Sequence, residues 1–100
     1  MSNDCTLAAA ATFEELQWLV HGTLCKHDRL EPGQTPLLRG VIKRKGKPCG
    51  LFFQVEGPRL MKNYAVWVGE ENRVLCYDSS GGRFREIRLA SSPDLKKLAG

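Results

Sequence analysis

The chain has no long hydrophobic run. Nothing in its 100 residues approaches the ~20 apolar residues of a membrane-spanning helix. The alanine stretch after Leu7 is too short for a secretion signal and has no basic leader. The four cysteines, Cys5, Cys25, Cys49 and Cys76, stand far apart, with no Cys-x-x-Cys pair. Structural zinc needs close ligand pairs, so no metal is expected. Reduced thiols in a cytoplasmic protein are the simplest reading, with Cys49 and Cys76 as small strand hydrophobes. There is no serine-centred elbow, no glycine-rich phosphate loop and no acidic cluster suited to magnesium. No catalytic residue and no cofactor are therefore expected. Histidine is limited to His21 and His27. A thiolate-base pairing of Cys25 with His27 is the least favoured functional class, because both follow the apolar stripe of a helix and nothing in their spacing brings them together.

What is present is the composition of one folded domain: 42% hydrophobic and 26% charged residues, enough for one modest core. The formal charge of +4 is unevenly distributed. Residues 1–36 carry five acids against two bases, and residues 37–100 carry thirteen bases against six acids. A basic half of this kind attracts nucleic acid or acidic proteins, and it also serves simply as a solvated surface.

Residues 1–11 read as a flexible tail with some helical tendency, and residues 12–100 as a single domain. Thr12-Phe13-Glu14-Glu15 is a capping box. Phe13, Leu16, Leu19, Val20, Thr23 and Leu24 follow at helical spacing, predicting a helix over 13–26. Gly22 inside it costs about 1 kcal/mol relative to alanine, and is expected to mark close packing or fraying. Glu31-Pro32-Gly33-Gln34 suits a type II turn. Five strands then alternate with turn residues, over 37–44, 49–56, 61–68, 73–78 and 83–89. Short connections make them antiparallel neighbours. Ser92-Pro93-Asp94 signals a terminal helix. The expected fold is α+β: an N-terminal helix packed on a curved five-stranded antiparallel meander, with a short C-terminal helix.

The stretch from Ala65 through Ile87, with Asn72-Arg73-Val74 running into Asp78-Ser79-Ser80-Gly81, resembles the hairpin of an NHL-type propeller blade. A propeller needs about four or more such blades, so the resemblance implies hairpin chemistry alone and no function. Asp78 is expected to bond back into the turn while a glycine takes positive φ.

The central strands are apolar on both faces, and a single helix covers one face only. An interaction face holding Phe52, Trp67 and Tyr77 is therefore expected, its occupant a second copy or another protein. The alternative is nucleic-acid binding by a basic patch of Arg39, Lys43, Arg44, Lys45, Lys47, Arg59 and Lys62, with four of these charges at one hairpin tip. No membrane partner is expected.

Overall fold

The computed structural model describes residues 4–58, 61–91 and 93–98. Helix α1 spans Phe13–His27 and begins as its capping box dictates. The Thr12 hydroxyl accepts from the Glu15 amide at 3.1 Å, and Glu15 Oε1 accepts from the amides of Thr12 and Ala11 at 3.3 and 2.8 Å. Two donors that a helix start leaves unpaired, and the Ala11 amide just before it, are thereby satisfied. Leu16, Val20 and Leu24 are fully buried along one stripe.

The sheet has six strands, one more than the alternation pattern predicts. They are β1 (Asp4–Ala9), β2 (Leu38–Arg44), β3 (Lys47–Glu56), β4 (Lys62–Val68), β5 (Arg73–Tyr77) and β6 (Arg83–Ser91). The order is β1-β6-β5-β4-β3-β2. Strands β2 to β6 form the expected antiparallel meander, while β1 pairs with β6 in parallel, so the sheet is mixed. Residues 4–9 are thus a strand and not a tail. The alanines favour a helix locally, but the ladder to β6 satisfies their backbone, and the Ala10 amide extends it to the Ser91 carbonyl at 3.0 Å.

Two other expectations are corrected. The segment Pro32–Gln34 is a 3-10 turn in which Gly33 takes no positive φ, so the turn is not type II. The terminal segment Leu95–Leu98 is one 3-10 turn of four residues, not an α-helix; Ser92 lies outside the described residues. Leu95 packs against the core beside Gly69.

The core lies between α1 and one face of the sheet. Leu51, Phe53 and Val55 of β3, Ala65 and Trp67 of β4, Val74 and Cys76 of β5, and Ile87 and Leu89 of β6 are all buried there. Phe13 meets the Trp67 ring edge-on at 5.9 Å. Asn63 ties the helix end to β4: its Nδ2 donates to the Leu24 carbonyl at 3.2 Å and to Asp28 Oδ2 at 2.8 Å. Two other carbonyls of the last helical turn are also taken up, that of Cys25 by the Leu30 amide at 2.8 Å and that of Lys26 by the Arg29 amide at 3.2 Å. At Gly50, beside the point where β2 and β3 slip register, a Cβ would collide with the Trp67 carbonyl of β4, so β3 passes β4 here only because no side chain is present.

Candidate functional site

Residues directly opposite each other across paired strands share a face, so the register assigns every strand residue to one side. Opposite the helix, one row runs Phe52–Val66–Leu75–Glu86 across β3 to β6. A second runs Gln54–Tyr64–Tyr77–Arg83 beside it. A third runs Val68–Arg73–Arg88 and reaches Leu7 on β1. Helix α1 and Leu95 pack on the core side, and among the described residues no helix covers these rows. Their apolar members on β3, β4 and β5 are half-buried. At the two edges of this face, Leu7 and Leu38 are 73% and 57% exposed.

The centre of the face is an aromatic ladder. The Tyr64 and Tyr77 rings lie 5.1 Å apart at 15°, and Phe52 and Tyr64 lie 6.0 Å apart at 29°. Near-parallel rings at 5.1 Å are too close to lie flat side by side on the sheet. Tyr64 and Tyr77 therefore turn their faces toward each other. The border of the face is charged. Arg73 and Arg88 are directly opposed, and like charges in that position repel. Glu86 resolves the repulsion by reaching both, at 3.4 Å each, while Glu71 holds Arg73 at 2.6 Å. Glu71 foremost, with Glu86, raises the Arg73 pKa further above its ordinary value.

The three residues predicted for one interaction face divide between the two sides. Phe52 and Tyr77 lie on the open side, whereas Trp67 is fully buried under the helix. Tyr64, central to the ladder, is the residue missed from the sequence, because only the Tyr64–Tyr77 register brings it there.

The basic patch also divides. Lys43, Arg44, Lys45 and Lys47 do share the β2–β3 hairpin tip, all exposed, around a turn in which Lys45 and Gly46 take positive φ. Lys62 pairs with Glu56 at the far end of β3, about 30 Å away at strand rise. Arg39 leaves the patch by donating to Gln17 Oε1 on the helix at 3.1 Å. Arg59 lies outside the described residues.

The histidines and Cys25 serve other contacts. His21 Nε2 lies 2.6 Å from the Thr35 carbonyl. His27 stacks on Phe84, centroids 3.7 Å apart at 12°, with Asp78 at 3.9 Å. Cys25 is not past the buried stripe but fully buried, and burial, then the Glu31 charge, pushes its thiol pKa up. That is the opposite of what a nucleophilic thiolate requires. Burial pushes Cys76 up to about 12. The Asp78 turn forms as its sequence predicts: Oδ1 accepts from the Ser80 hydroxyl and from the amides of Ser80 and Gly82, with Gly81 at positive φ. No helix among the described residues is long and apolar enough to cross a membrane. Comparisons with protein-family models, curated proteins and solved structures find no match to this chain.

Proposed function

We propose that this protein is a small interaction module that associates with a second copy of itself through the open sheet face. The observation that carries this reading is the half-buried ladder of Phe52, Tyr64 and Tyr77, with Val66 and Leu75 beside it, left uncovered opposite the helix. Contiguous apolar surface of this kind is costly in water and is relieved by packing against another protein. Two features favour a second copy. The border cluster of Glu71, Arg73, Glu86 and Arg88 holds two charges of each sign, so two-fold related faces meet without net repulsion. The four clustered bases of the hairpin tip lie outside the three rows of this face. Sheets packed in this way lie ~10 Å apart with interleaved side chains.

Spectra of 15N-labelled protein at rising concentration test this reading by location. Shifts and broadening are expected at Phe52, Tyr64, Val66, Leu75 and Tyr77, with the hairpin tip unmoved. Concentration-dependent change confined to another surface would refute it.

The hairpin tip supports a second reading, nucleic-acid binding, because Lys43, Arg44, Lys45 and Lys47 project together from one turn. Binding would then rest on phosphate contacts, since Tyr64 and Tyr77 face each other and offer bases little open ring surface. Each lost contact is expected to lower the salt dependence by about one unit. Failure to bind oligonucleotides at low salt removes this reading.

A further inference from the structure

A second unfilled surface lies on the flank of α1, away from the open sheet face. A groove of about 870 Å³ opens between the helix and the edge of the sheet formed by β1 and β6. Its size falls within the ~300–1,000 Å³ of small-molecule sites. Trp18, Gly22 and Lys26 line its helical wall, and Ala9, Phe84 and Arg85 line the sheet side.

The helical wall has an unusual order. Trp18, Gly22 and Lys26 stand at i, i+4 and i+8, so they follow one another along a single ridge, about 6 Å apart. The middle position has no side chain. Gly22 takes no positive φ, and a Cβ there would meet nothing within 4 Å. Neither close packing nor backbone conformation requires this glycine, so the close-packing half of the sequence expectation is not met. It nevertheless weakens the helix by about 1 kcal/mol relative to alanine. The consequence is a gap between an indole and an ammonium group. Trp18 is 82% exposed, which leaves its ring available to a ligand in that gap.

The chemistry of the remaining wall has a sign. Phe84 is fixed by its stack on His27, and Arg85 is fixed by donating to Thr6 Oγ1 at 3.1 Å. Phe84 supplies an aromatic surface and Lys26 a cationic group. The one acid in the lining, Glu15, has its Oε1 engaged by the Ala11 and Thr12 amides. We infer that the groove binds a small planar aromatic anion, an aromatic carboxylate of one or two rings. The ring lies over Gly22 against Trp18, and the carboxylate meets Lys26.

Titration of 15N-labelled protein with 2-naphthoate tests the site and its ligand class together. 2-Naphthylmethylamine supplies the same rings with the opposite charge, and acetate supplies the charge without rings. The expected result is saturable shifts at Gly22, Lys26 and the Trp18 indole N–H, with both comparison compounds at least tenfold weaker. Gly22→Leu fills the gap and is expected to weaken 2-naphthoate at least tenfold while holding or raising the melting temperature. Lys26→Glu is expected to abolish the preference for the anion, and it keeps the test open should the leucine variant misfold. No saturable binding, equal binding of the amine, shifts centred on Tyr64 and Tyr77, or unchanged binding by a folded Gly22→Leu protein would each overturn the inference.

Discussion

The two faces of the sheet are written by alternate residues of the same strands, yet they have opposite fates. Phe53, Trp67 and Cys76 are fully buried beneath α1, while their neighbours Phe52, Val66 and Tyr77 remain half-exposed on the other side. Hydrophobicity alone does not separate them, since both sets are apolar. What separates them is the single helix: it packs against β3 and β4 on one side, and no helix among the described residues packs on the other. One face therefore holds the fold together, and the other is left open.

That contrast is most directly broken by truncation. Trp67→Ala is expected to cost about 3–5 kcal/mol, the range for a large buried aromatic, out of a total of ~5–15 kcal/mol for folded domains. Tyr64→Ala, although it removes a ring with two aromatic neighbours, is expected to cost about 1 kcal/mol. Urea unfolding of both variants measures the difference. Equal losses would mean that the open face is part of the core.

Asn63→Ala comes next, at about 1–3 kcal/mol, because it strips a donor from the Leu24 carbonyl and from Asp28. Its effect is expected as a lower urea midpoint, with increased amide exchange in the last turn of α1. Thiol accessibility sharpens the same contrast between buried and open positions. With Cys5 replaced by serine, Cys49 is expected to react with a thiol reagent in the native state, whereas Cys25 and Cys76 react only as the protein unfolds.

The smallest effect concerns acid. The Ser80 hydroxyl, then the Ser80 and Gly82 amides and His27, hold the Asp78 carboxyl below the usual range against the opposing effect of burial. A carboxyl lowered in the folded state stabilises it above the unfolded pKa, so this contribution is complete above about pH 4 and disappears as pH falls further. Asp78→Asn is expected to flatten the acid limb of the stability profile slightly, and only slightly, because the group is partly solvated. An unchanged acid limb would contradict the role assigned to the turn.

Much of the local chemistry was legible in the sequence, although the Pro32–Gln34 turn and the Leu95–Leu98 segment took other local forms than expected. The Thr12–Glu15 box, the Asp78 turn and the alternation of the middle strands are the legible part. Long-range pairing was not legible. Asp4–Ala9 becomes a strand only because β6, some eighty residues later, offers an edge. The grouping of Trp67 with Phe52 and Tyr77 fails for a related reason: alternation gives two sides to each strand, but register decides which sides coincide. The basic run from Arg39 to Lys62 looked continuous along the chain, and the length of β3 carries Lys62 away from the hairpin tip.

The central claim is that the open face is the contact surface between two copies. Sedimentation equilibrium of the parent protein and of Tyr64→Glu/Tyr77→Glu tests it most directly, because the paired charges spoil that face without entering the core. The account predicts a reversible dimer for the parent and a folded monomer for the variant at every concentration. A parent protein that stays monomeric at high concentration, or a variant that dimerises equally well, would contradict it.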